Sequence, residues 1–275
     1  MIKIIADSTF GISETYANKN DIKIVKLKMV LDGKVFEEGF EPSWENFYKE
    51  MEKSKHFPTT SQPSPQGFID KIEEIFEKDP DAQIIIVTIA TRLSGTFNSA
   101  KLAAESFPDK KITAVDSRQA TTCGRFLVEE MVDAINNGAN YEQVLALIDS
   151  LQTKLKIQFI PKTLEYLKRG GRIGALGASF ATLLHIKPLF TFKENELSVK
   201  KAIGHARAIA ECISSIPKKI KKLAVCYIYD KSNLSLLTDK INQKINSVNA
   251  EIVAIEPIFG VHVGIGAIGV ATLED

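Results

Sequence analysis

The chain has 275 residues, 44% hydrophobic and 25% charged, with a net charge of +1. That is enough chain for one large or two modest globular cores. Its longest apolar run, IIIVTIA, is far too short to cross a bilayer, so no stable membrane insertion is expected. The start reaches Lys3 and Asp7 before any signal-peptide apolar region could form.

Three cysteines, Cys123, Cys212 and Cys226, are odd in number and widely spaced, with no C-x-x-C. Zinc and redox sites are therefore not expected, and a reducing cytoplasm is. The charge is unevenly spread, with 17 Lys and Arg against 10 Asp and Glu from Lys156 onward, and 18 against 24 before it. A basic second half suits an anionic ligand or partner. No nucleic-acid-binding motif accompanies it, so nucleic acid is not expected.

In chain order, residues 2–6 read as a strand and residues 22–31 as a second, turning at Asp32-Gly33. Ser64-Pro65 opens a helix through FIDKIEEIFEK, and 83–89 is a buried central strand. A helix follows over 99–105, a strand over 111–115, a helix over 121–137 that stops at Gly138, and another over 141–155. Strand and helix in alternation imply a mostly parallel sheet with flanking helices. After Lys156 the pattern changes to a strand (KIQFIP), a short helix (TLEYLKR) and a small, apolar stretch over 178–184. A hairpin turning at Glu194-Asn195 and a helix over 206–216 come next. The strands KLAVCYIYD and AEIVAIEPI flank a helix over 233–247, and AIGVATL is a last strand. The fold class expected is α/β in two α/β domains, 1–155 with a mostly parallel sheet and 156–275 with a mixed one.

The end of the chain contains a G-x-G-x-x-G, Gly264, Gly266 and Gly269. A dinucleotide fingerprint needs a helix after it and an acid about 20 residues on. Only six residues follow Gly269 and they are β-type, so that reading fails. A glycine-dense loop around His262 remains. Of the other histidines, His185 reads as a packed residue, and His56 and His205 as surface residues.

Ligands of open α/β sheets bind at the carboxyl ends of the strands. Hydroxyls gather there, in Asp7-Ser8-Thr9, in the crossover TTSQP and in LSGTFNSA. Ser94 and Thr96 sit at a helix N-terminus, where free N–H groups favour an anion and Gly95 allows close approach. Thr60 could supply a second hydroxyl to a carboxylate. Capping by Ser94 alone also explains that motif. The apolar stretch Phe159, Ile160, Leu164, Leu167, Ile173, Leu176, Phe180, Leu183 and Leu184, with small Ala and Gly interruptions, reads on its own as core.

TTSQPSPQGF, LSGTFNSA, FIPKTLEYLKRGGRIG and GVHVGIGAIG, with the opening IIADST and the segment IKPLF, resemble the DegV family along essentially the whole chain. These are bacterial fatty-acid-binding proteins of the fatty acid kinase system. The resemblance implies a long acyl chain between two α/β domains, with Thr60, Ser94 and the Gly95 backbone on the carboxylate and His262 completing the network. It also implies that Arg172 lies near the head group and the kinase-facing surface. The family often has proline at the position of Ile265 and asparagine at that of His185. No cofactor is implied, and the chain would act not as an enzyme but as a carrier. A separate dihydroxyacetone-kinase-like fatty acid kinase would form the acyl phosphate, destined for phospholipid synthesis. The alternative is a serine hydrolase or acyltransferase using Ser94 and His262, with Asp7 or Asp116 as the orienting acid.

Overall fold

The computed structural model describes residues 1–40, 43–172, 186–245 and 249–275. Strand β1 (Ile2–Asp7) runs into a 3-10 turn, Ser8–Phe10, capped by the Asp7 carboxylate on the Thr9 amide. Helix α1 (Glu14–Lys19) leads to β2 (Lys23–Val25). The single strand expected over 22–31 divides here: β2 lies beside β1, while β3 (Lys28–Leu31) turns through Asp32 and Gly33 into β4 (Lys34–Glu37). Both turn residues have positive φ, 50° and 75°, which matches the right-handed twist of the hairpin. Helix α2 (Trp44–Lys53) follows, and part of the expected crossover is itself a strand, β5 (Thr59–Ser61), paired with β3.

The regular alternation then holds through α3 (Pro65–Lys78), β6 (Gln83–Thr88), α4 (Thr96–Glu105), β7 (Ile112–Asp116), α5 (Thr121–Asn136) and α6 (Tyr141–Gln152). Leu155 belongs not to the preceding helix but to β8 (Leu155–Ile160), which is followed by α7 (Glu165–Arg169). The stretch 178–184 and His185 lie outside the described residues. Next come the hairpin β9 (Ile186–Lys193) and β10 (Glu196–Ile203), α8 (His205–Ser214), β11 (Ile220–Tyr227) and α9 (Leu234–Lys244). The chain closes with β12 (Glu251–Ala254), α10 (Pro257–Val263) and β13 (Ile268–Glu274).

Among the described residues the strands form three sheets. The first is all parallel, in the order β2-β1-β6-β7. The second has the order β10-β9-β8-β13-β11-β12 and is mixed, with only β11 and β12 parallel. The third is the small antiparallel sheet β4-β3-β5.

Successive side chains of a strand point to opposite faces, and β6 shows why its run is apolar throughout. Ile84 and Ile86 pack with Phe68 and Ile72 of α3, whereas Ile85 and Val87 join Phe126, Leu127 and Met131 of α5. The six-stranded sheet is covered in the same way. Leu223 and Val225 meet Ile209 of α8 and Leu237 of α9, and Ala224 and Cys226 face the α5 side. Helix α5 thus fills the space between the two larger sheets, and each large apolar side chain buried there contributes about 1.5–3 kcal/mol. Arg125 with Glu251, and Lys222 with Glu129, fasten α5 to the strands beyond it.

Candidate functional site

Thr60 is the middle residue of β5, opposite Met29 of β3. Its hydroxyl lies 2.8 Å from Nε2 of His262, a residue 202 positions away. His262 is not in a loop. It sits in the last turn of α10, which starts with Pro257 at the first helical position, where proline's fixed φ suits a helix. Gly264 ends that helix at φ 91°, donating to the Gly260 carbonyl at 2.9 Å, and Gly266 at φ 81° donates to the Ile228 carbonyl at 2.9 Å. Gly269 is already within β13. The glycines therefore terminate a helix and turn the chain into a strand, and the amides of Gly264 and Gly266 are used within the chain itself.

Nδ1 of His262 is buried and has no hydrogen-bond partner among the described residues. A buried N–H without an acceptor costs more than a bare lone pair, which puts the ring proton on Nε2, donated to Thr60 Oγ1. The Thr60 O–H is then left to donate into the space beside it. Burial, and secondarily the nearby Arg172 charge, pull the imidazole pKa down to about 4, so the ring is neutral at physiological pH.

Ser94 and Gly95 lie between β6 and α4. The Ser94 hydroxyl lies 2.8 Å from that of Thr96, and the Thr96 amide approaches it at 3.4 Å, a weak cap. The Asn98 amide of the first turn of α4 donates to the Gly95 carbonyl at 3.0 Å, and this end of the helix carries its positive dipole pole. A side-chain carbon at Gly95 would run into Oε1 of Gln62, which lies over the turn and whose Nε2 donates to the Ser99 hydroxyl at 3.0 Å. Gln62 lines the same cavity and was missed by sequence reasoning, although it lies in the hydroxyl-rich TTSQP segment that pointed to Thr60.

Thr60, Gln62, Ser94, Gly95, Arg172 and His262 all line one cavity of about 370 Å³. Its remaining wall is largely apolar. The first half supplies Leu27, Ile89 and Leu93, and the mixed sheet supplies Ile157, Phe159, Phe192, Leu197 and Cys226. Of the apolar stretch picked out in the sequence, Phe159 and Leu167 line the cavity. Ile160, with the opposite strand parity, packs toward α8 and does not line it, and Leu164 is packed in the central core. Residues 173–184 lie outside the described residues. Arg172 is exposed and donates to the Gly170 carbonyl at 2.7 Å. Of the other basic residues of the second half, Arg169 pairs with Glu165, and Lys200 and Arg207 share Glu211. His56 is exposed against Asp32, whereas His205 is half-buried at the start of α8.

A cavity with an apolar body and a cluster of neutral hydroxyl and N–H donors at one end suits an amphipathic anion. It does not suit a serine hydrolase. His262 is bonded to Thr60 rather than Ser94 and has no orienting acid at Nδ1 among the described residues. Asp7 is occupied by Thr9 and the Ile89 amide, and Asp116 by Thr91 and Arg118. No group of acids, histidines and cysteines among the described residues could hold a metal, and no described helix is long and apolar enough to cross a membrane.

Comparison with known proteins agrees across the whole chain. A DegV domain-containing protein of Clostridium perfringens is 31% identical over 98% of both chains, and one from Clostridium acetobutylicum is 32% identical over 98% of this chain and 96% of its own. A fatty-acid-binding DegV family protein from Thermus thermophilus superposes with a TM-score of 0.89, at 28% identity, over 100% of this chain and 99% of its own. A stearic-acid-binding protein from Eubacterium ventriosum gives 0.88 at 27% identity, over 100% and 98%. The family model described as "Uncharacterised protein, DegV family" matches residues 1–275, and the chain belongs to the DegV family.

Proposed function

We propose that this protein binds a long-chain fatty acid, with the tail in the apolar cavity and the carboxylate on Thr60, Ser94 and the Gly95 backbone. His262 orients the Thr60 hydroxyl, and Arg172 stands at the head-group rim. The observation that carries this reading is the single cavity joining hydroxyls and a helix N-terminus to an apolar wall. Its relatives from Thermus thermophilus and Eubacterium ventriosum are fatty-acid-binding proteins. A tail of about sixteen carbons gains roughly 0.8 kcal/mol per buried CH₂, on the order of 10 kcal/mol before ordering costs. The tail therefore supplies most of the affinity, and the polar end sets the orientation.

In this reading residues 1–155 hold the carboxylate loops and 156–275 close over the acyl chain. The protein is a cytoplasmic carrier, in keeping with three buried free cysteines. It presents the carboxylate to a separate fatty acid kinase, and the acyl phosphate passes on to phospholipid synthesis.

Native and denaturing mass spectrometry on protein purified without detergent tests the carrier. A stoichiometric fatty acid seen only in the native spectrum is the expected result. A covalent adduct on Ser94, or failure to bind added palmitate and oleate, overturns it. Incubation with fatty acid kinase and ATP tests the second step, and absence of acyl phosphate removes that step alone.

A further inference from the structure

Beyond the cavity, three carboxyl groups are buried between the parallel sheet, α2 and α10. Asp7, Glu38 and Glu256 are each no more than 1% exposed. Asp7 is satisfied by Thr9 and the Ile89 amide. The other two converge on the start of α10. Glu38 Oε1 accepts the Ile258 amide at 2.8 Å, and Glu256, at the N-cap position of the same helix but without a side-chain capping bond, accepts from the Thr121 hydroxyl of α5 at 3.1 Å. Thr121 lines the cavity and is held at φ 45°, a conformation that a β-branched residue adopts only under constraint.

We propose that Glu38 and Glu256 are positioning residues for the head-group site, holding α10 so that His262 at its far end meets Thr60. The assignment rests on reading Thr60 and His262 as that site. The small sheet carries both ends of the linkage. Glu38 follows β4 and its amide donates to the Leu27 carbonyl at 2.9 Å, just before β3, and Thr60 stands on β5, which pairs with β3. Glu38 thus fixes the distance between the strand bearing the hydroxyl and the helix bearing the imidazole.

The carboxyls do this as neutral acids. Glu38 Oε2 and Glu256 Oε1 have no hydrogen-bond partner among the described residues, and what disfavours the ionised form is the cost of burying charge in that setting. Burial is the main cause that raises Glu38 to about 8 and Glu256 well above its ordinary value, and each also feels another acid. The surrounding groups are Asp7 and Ser8 at the end of β1, Tyr48 of α2 and Thr121 of α5, and the exposed Lys26 is the one described cation that lines the small cleft beside Glu38.

The test compares Glu38→Met, which fills the space without the carboxyl, with Glu38→Gln, which keeps Oε1 as an acceptor. The His262 ring is followed by ¹⁵N NMR in lipid-free protein, and the dissociation rate of a fluorescent fatty acid is measured beside it. Glu38→Met is expected to lose the Nε2–H signal bonded to Thr60, to raise the imidazole titration midpoint from about 4 toward 6.5, and to speed dissociation about tenfold, the scale of one buried hydrogen bond. Glu38→Gln is expected to restore both. Unchanged imidazole signals in Glu38→Met, or a folded Glu38→Gln that behaves like it, overturns the assignment. Failure of every form to bind fatty acid overturns the carrier reading instead, and the imidazole result still decides the positioning role.

Discussion

With the ring proton of His262 on Nε2, Thr60 accepts from the imidazole and its own O–H can donate to the proposed carboxylate, so one substitution removes both interactions. Thr60→Val preserves shape and should weaken fatty-acid binding by about 1.5–3 kcal/mol, the cost of a hydrogen bond to a charged group. The tail should still bind, so a competition titration should shift roughly 10- to 150-fold while the protein still carries lipid at high concentration. An unchanged titration sinks the carboxylate assignment. At Gly95 the effect is more local, because the atom in the way is the end of a flexible side chain. Gly95→Ala should swing Gln62 aside, break its bond to Ser99 and cost about 1 kcal/mol in denaturant unfolding. That Thr60, Ser94 and His262 line one cavity was anticipated from the sequence, because a hydroxyl-rich crossover, a hydroxyl at a helix N-terminus and an imidazole among glycines stand out locally. Gln62, Thr121 and Glu38 were not, since their roles depend on which distant element each one faces. Nothing local distinguishes Glu38 from the solvated acid beside it, Glu37.

At the scale of elements, the hairpin of β9 and β10 lines the cavity with Phe192 and Leu197. Its tip is tied to the loop before Ser94: Asn195 Oδ1 accepts the Arg92 amide, and Nδ2 donates to the Thr91 hydroxyl, both at 3.3 Å. Asn195→Gly keeps the positive φ of 63° that the turn needs and removes both bonds. Stopped-flow release of a fluorescent fatty acid should then be several-fold faster with little change in melting temperature. Equal release rates would mean the hairpin tip does not limit exchange. The hairpin and the β6 core were plain in the sequence, from a turn pair and an unbroken apolar run. Helix α10 was hidden by its composition. Gly260 and the β-branched residues around His262 disfavour a helix on propensity alone. Packing decided otherwise, with Ile258 and Val261 buried on one side and the Tyr48 ring against Gly260. The break at Lys26 was equally hidden, because a strand that leaves one sheet for another keeps the same alternation.

For the whole molecule, the buried ionisable groups make stability depend on pH in two opposing directions. Asp7 rises from 3.8 to about 6 and Glu38 from 4.5 to about 8, chiefly through burial. Each keeps its proton in the folded state after the unfolded chain has released it, so stability falls as pH rises through those windows. His262, lowered from 6.5 to about 4, acts oppositely and removes stability as pH falls through its own window. From about pH 6.5 to 8 the His262 and Asp7 contributions are flat, and the carboxyls at the head of α10 govern the slope. Glu38→Gln cannot ionise, so its advantage over the wild type should grow from pH 5 to pH 8. The full shift corresponds to on the order of 2–5 kcal/mol after water entry and relaxation reduce it. That should appear as a melting-temperature difference widening by several degrees. Calorimetric melting of both proteins across this range provides the measurement. A constant difference would mean that Glu38 is already ionised in the folded state at neutral pH.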